Sequence, residues 1–281
     1  MVGKLARSWE LVKASWAVLQ ADKELLVFPI VSTLAVIVVM ISFAVPMFLT
    51  GMFEGGLVRV GGFPIVGIAL GFAFYAVQYT VIFYCNSALV GAAMIRLKGG
   101  DPTIGDGFRI ANKHFASIVG YALLAATVGI ILRNIARRGF VGRIVASVFG
   151  LAWNIATFLA VPVLVVEGVG PIEAVKRSTG LLKKTWGEQL IGNLGIGAVF
   201  MLVFLAGLVL FGGSLALAIA TDSAPLIVTV VAVFVLAAIL MSLVGSALSA
   251  IYTAAVYRYA TEGDAGGMFA PDLVRGAFRA K

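Results

Sequence analysis

The apolar and polar positions along the chain alternate on a coarse scale. Six long uncharged apolar runs, at 25–48, 63–95, 115–132, 144–166, 190–220 and 225–257, are separated by short polar segments. About 20 apolar residues in a helix cross the roughly 30 Å hydrocarbon layer of a bilayer. Five runs pass that length easily, and the third is the shortest. The three longest must tilt or protrude into the headgroup layer. The pattern predicts an all-α, polytopic membrane helix bundle with six transmembrane helices. Lys4, Arg7, Glu10 and Lys13 precede the first run on a helix-like segment, so that run reads as a retained span rather than a cleaved signal.

The polar segments have a pattern of their own. "LVKASW" (11–16), "IANKHF" (110–115) and "LLKKTW" (181–186) align, each ending on an aromatic residue just before a span. Trp9 and Phe108 stand seven residues before Trp16 and Phe115, while Thr179 takes that place in the third copy. Ser8, Gly107 and Ser178 also align. The spacing predicts three amphipathic interfacial helices, each followed by two spans. It divides one structural domain into parallel repeats at 1–100, 101–168 and 169–260, with a cytoplasmic tail at 261–281. In each helix aromatic and aliphatic residues are expected to sink into the acyl boundary while Lys and Arg face the headgroups. The expected lipid contacts are Lys13, Lys113, Lys183 and Lys184, with Trp9, Trp16, Phe108, Phe115 and Trp186 as interfacial anchors.

Charge orients the bundle. Of 21 Lys and Arg, sixteen lie in the N-terminus, the second and fourth loops and the C-terminus. Five lie in the remaining loops. The positive-inside rule then places both termini in the cytoplasm. The third loop, within "ILRNIARRGFVGRIV" (131–145), breaks the pattern with Arg133, Arg137, Arg138 and Arg143. Two arrangements fit. Either both flanking runs cross and the arginines form an outer basic collar, or the third and fourth runs make a re-entrant hairpin and the loop stays inside. The length of 144–166 and the cost of irregular backbone in lipid favour the first.

Composition narrows the chemistry. The chain is 61% apolar and 12% charged, with net charge +8. The basic residues sit between spans, so anionic membrane lipid is the expected partner and nucleic acid is not. A homo-oligomer or other membrane proteins are further partners that the small-residue faces leave open. One cysteine, Cys85, and one histidine, His114, exclude an internal disulfide and the usual Cys/His zinc clusters. No run contains Asp, Glu, Lys, Arg or His. Proton-coupled carriers normally need such a group. "VGSALS" (244–249) has a serine but no base within the spans. No enzyme, cofactor or metal is expected.

The second run is the most polar. Tyr75, Gln78 and Tyr79 share one helical face, with Asn86 seven residues beyond Tyr79. Asn154 and Thr157, before Pro162, extend the polarity to the fourth run. These residues are either a polar passage or interhelical hydrogen-bonding contacts. Ser242, Ser246, Ser249 and Thr253 stripe the last run and read as a packing face.

"SWELVKASWAVLQADKELLVFPIVS" (8–32), "AWNIATFLAVPVLVVEGVGPIEAVKRSTGLLKKTWGE" (152–188) and "DLVRGAFRAK" (272–281) resemble the DUF6159 type of prokaryotic six-span membrane proteins, whose function is unknown. The resemblance implies a prokaryotic plasma membrane and carries over no catalytic or binding residue. The residues themselves point to a non-enzymatic protein that binds anionic lipid as a scaffold or accessory subunit. The alternative is a homo-oligomeric channel or passive permease for anions, built on the polar face of the second run and the arginine collar.

Overall fold

The computed structural model describes residues 2–49, 65–186, 195–267, 269 and 274. Arg59, the first loop and most of the tail lie outside the described residues. The elements are α1 (Val2–Ala21), a 3-10 turn (Lys23–Leu26), α2 (Val27–Leu49), α3 (Ile65–Leu97), α4 (Ile104–Lys113), α5 (Phe115–Ala136), α6 (Gly139–Ala156), α7 (Ala160–Glu167), α8 (Pro171–Trp186), α9 (Gly195–Ala220) and α10 (Ala224–Glu262). Among the described residues there is no strand. Six stretches are long and apolar enough to cross a membrane: Lys23–Leu49, Ala69–Leu97, Phe115–Ala136, Gly139–Glu167, Phe200–Ala220 and Ala224–Glu262. The protein is a multi-pass, all-α membrane bundle.

Local chemistry explains the boundaries. The Thr103 hydroxyl accepts the Asp106 N–H at 3.2 Å, and the Asp106 carboxylate accepts the Thr103 N–H at 3.0 Å, a reciprocal cap that starts α4. The short third run gains a full turn because Arg133 lies inside α5, which continues to Ala136. At about 1.5 Å per residue α5 is roughly 33 Å long, enough to span. Arg137 and Arg138 then make a tight reversal into α6, with Gly139 at φ 91°. A Cβ on Gly142 would lie 2.2 Å from the Ile135 carbonyl oxygen, so this turn admits only glycine there.

The fourth span is not one rod. α6 stops at Ala156 and α7 starts at Ala160, with Pro162 in its first turn. Proline has no N–H to donate and crowds the carbonyl four residues back, which disfavours a continuous helix. The Leu159 N–H, released at the break, donates to the buried Ser178 hydroxyl of α8 at 3.0 Å.

Several contacts gather the short helices at one end, here the terminal face. Arg96 at the end of α3 donates to the Ala21 carbonyl at 2.9 Å, and the Ile104 N–H donates to Glu24 at 3.2 Å. Lys98 approaches Glu262 at 3.7 Å. Glu167 pairs with Arg177 of α8 at 3.0 Å and accepts the Tyr257 hydroxyl of α10 at 3.1 Å. Buried residues concentrate in this half of the bundle: Ala88–Met94 of α3, Leu159–Val165 of α7 and Ala247–Tyr257 of α10. Phe269 and Val274, from the start of the tail, are buried there too. Toward the opposite end, large apolar side chains of α2, α6, α9 and the first half of α10 are exposed. Lipid solvates such surfaces as well as a core does, so they need no protein partner.

The apolar stripes of the short helices differ from expectation. Leu11 and Val12 of α1, Ala111 of α4, and Leu181 and Leu182 of α8 are buried against the bundle, not turned to acyl chains. α1 packs on α9 and α10, α4 on α3, and α8 on α7. The reason is steric: the ends of the long helices offer close-packed apolar surface, and docking there also satisfies polar groups such as the Leu159 N–H. These helices form the floor of the bundle.

Candidate functional site

At the terminal face Lys13, Lys113, Lys183 and Lys184 are all exposed. Lys13 also pairs with Glu10 at 2.9 Å. Trp9, Lys13 and Trp16 stand at i, i+4 and i+7 on one exposed face of α1, where Trp9 is 48% and Trp16 41% exposed. Phe115 is exposed as well, and the Trp186 side chain lies outside the described residues. Phe108 does not join this surface. It packs inward, 5.2 Å from the Phe28 ring and 5.9 Å from the Tyr84 ring. A Cβ on Gly107 beside it would sit 2.4 Å from Phe28 and 2.7 Å from the Ala88 carbonyl, which shows how closely α4 lies on α2 and α3.

Titratable groups near this face are shifted, Asp106 and His114 among them. The Thr103 N–H and hydroxyl hold the Asp106 carboxyl below the usual carboxylate range. Burial, aided by the charge of Lys113, pushes His114 below its ordinary value and so favours the neutral ring. Among the described residues no three His, Cys, Asp or Glu side chains are placed to hold a metal ion.

The arginines lie at the other end, reached by α5 after its full length. Arg133 donates to the Tyr75 hydroxyl, and its guanidinium stands 5.8 Å from the centre of that ring. Arg137, Arg138 and Arg143 are exposed around the turn. A small pocket of about 160 Å³ lies beside Arg133, lined by Tyr75, Tyr79 and Gly129. From there a row of rings leads inward: Tyr75 stacks on Tyr79 at 6.2 Å, Tyr79 on Phe83 at 5.7 Å, and Phe83 meets Tyr121 at 4.6 Å.

The inner rings of that row, Tyr79, Phe83 and Tyr121, form one wall of a larger cavity of about 620 Å³ inside the membrane-spanning part. α3 contributes Tyr79 and Asn86, α6 contributes Trp153 and Asn154, and the break contributes Thr157 and Phe158. α10 contributes Ser246, Ser249 and Thr253. The lining holds no Asp, Glu, Lys, Arg or His. Thr157 and Thr253 spend their hydroxyl protons on backbone carbonyls one turn back, each at 2.8 Å. Toward the terminal face the cavity stops at Leu89, Val90, Val161 and Ala250, beyond which the core is filled.

Tyr79, Asn86 and Asn154 of the expected polar passage therefore converge on one cavity. Tyr75 belongs to the adjoining small pocket, and Gln78 lines neither. Ser246, Ser249 and Thr253 were legible only as a packing stripe. Their spacing marks one face of α10, but nothing local says that a cavity lies opposite.

A model of a family of unknown function, DUF6159, matches residues 65–267. The chain belongs to this family. The match takes in the cavity wall contributed by α3, α5, α6, α7 and α10, whereas α1 and α2 lie outside it, and with α2 the lining residues Phe28, Pro29 and Ser32. No curated protein and no solved structure matches this DUF6159 chain.

Proposed function

We propose that the protein is a non-enzymatic integral membrane protein that binds anionic lipid at its terminal face and acts as a scaffold or accessory subunit for other membrane components. The observation that carries this reading is the exposed face of α1, where Lys13 stands between Trp9 and Trp16 while the opposite face is fixed to α9 and α10. Indole rings favour the headgroup boundary, and a lysine among them meets lipid phosphate. Lys113, Lys183 and Lys184 extend the basic surface to α4 and α8. The excess of Lys and Arg on this side supports an orientation with both termini cytoplasmic, in the prokaryotic plasma membrane that the family resemblance implies.

The threefold repeat belongs to the same reading. At its aligned positions Val12, Ala111 and Leu182 are all buried, and Lys13, Asn112 and Lys183 are all exposed. Each lysine near an anionic surface is worth about 1 kcal/mol. Replacing Lys13, Lys113, Lys183 and Lys184 by Gln is expected to strip most anionic lipid from the purified protein, measured by native mass spectrometry. Equal lipid content in both proteins would remove the reading.

Arg133 beside the small pocket favours a second reading, a homo-oligomeric channel or passive permease for anions. Conductance in planar bilayers that changes when Arg137 and Arg138 become Gln would support it. Silence across ions, with lipid retained, supports the scaffold.

A further inference from the structure

The cavity has a mouth, and its position says what can enter. On α3, α5 and α7 none of the lining residues is exposed, and Cys85, Leu89, Val90, Tyr121 and Val161 are buried. On α6 and α10, by contrast, Asn154, Ser246 and Ser249 line the cavity and are exposed at the same time. α6 and α10 face each other across the space and scarcely touch. Asn154 lies fifteen residues along α6 from the arginine turn, about 22 Å into the bundle. The mouth therefore opens sideways at hydrocarbon depth, onto lipid.

A site entered from lipid selects a lipid-soluble molecule. The lining adds two conditions. It has no ionised group, so a charged head brought there would lose its hydration with no counter-charge in return. It does have amides. Asn86 and Asn154 make no side-chain hydrogen bond to the described residues, and each amide offers two donors and an acceptor. Along α5 the lining runs from Tyr121 to Leu132, about 16 Å, with Val128, Gly129 and Ala125 between. That is a polar end beside an apolar slot, within the usual size range of ligand sites.

We infer that the cavity is a binding site for one neutral lipid, an uncharged amphiphile whose hydroxyl or carbonyl head bonds to Asn86 and Asn154 and whose hydrocarbon chain leaves between α6 and α10. The site is separate from the lysines of the terminal face, and either assignment can fail without the other.

Photolabelling of the full chain in native membranes tests it. The probes are a diazirine-bearing long-chain alcohol and the matching alkyl phosphate. The alcohol is expected to label peptides containing 150–158 and 246–253, and the phosphate to label them at least about tenfold less, the minimum loss for an unpaired buried charge. Asn86→Leu with Asn154→Leu keeps the approximate volume, removes the amides and should abolish the alcohol label there. Ala250→Phe, which fills the cavity from its α10 wall, should do the same by occlusion and covers the case in which the double variant fails to fold. Equal labelling by both probes, labelling unchanged in the variants, or no label on these peptides would overturn the assignment.

Discussion

The Ser178 hydroxyl links the floor of the bundle to a break within the membrane. It accepts the Leu159 N–H at 3.0 Å, and both residues are fully buried. In lipid or packed protein no water can replace that bond. Ser178→Ala should therefore cost about 1–3 kcal/mol, the penalty for a buried amide left unsatisfied. The check is the midpoint of unfolding in mixed micelles; an unchanged midpoint would mean that another acceptor takes over. In the sequence Ser178 stands out only as the counterpart of Ser8 and Gly107 in the repeat. Its role was invisible because its partner is a backbone N–H nineteen residues earlier, left without a helical acceptor at the break between α6 and α7. Gly107 is similar: its alignment could be read, but its contact with Phe28 depends on α2.

At the scale of one element, α4 was well described by its own residues. The Thr103 and Asp106 cap is local chemistry, made by two residues three apart at the start of the helix. Thr103→Ala should destabilise the protein by about 1 kcal/mol, as loss of an N-cap usually does. The pH dependence follows from the carboxyl's low value. Because folding lowers the Asp106 pKa, its contribution is complete above the ordinary carboxylate range and fades as the pH falls through it. Between about pH 5 and pH 3 the melting temperature of the wild type should drop more steeply than that of Asp106→Asn. Parallel curves would show that the cap does not report on global stability. The fourth span was less legible. Pro162 signalled a disturbance, yet the two-helix outcome needed α8 beside it to accept the released N–H.

For the whole molecule, the length of α5 and the placement of Arg133 beside Tyr75 put the arginine turn at the end opposite the short helices. An introduced cysteine at Arg138 and one at Lys184 should accordingly react with a membrane-impermeant thiol reagent from opposite sides of the membrane. Cys85 is buried and adds little background. Labelling of both from one side would restore the re-entrant hairpin. The sequence by itself determined the six spans, the all-α class and the absence of Asp, Glu, Lys, Arg and His from the six apolar runs. Those follow from runs of apolar residues and from local caps, which act through neighbours a few positions away. Tertiary structure alone decided that the apolar stripes of the short helices pack on protein, that Phe108 turns inward, and that Asn86, Asn154 and Ser249 line one cavity. Lipid and protein reward apolar surface almost equally, so hydropathy marks what avoids water but not which apolar neighbour it meets.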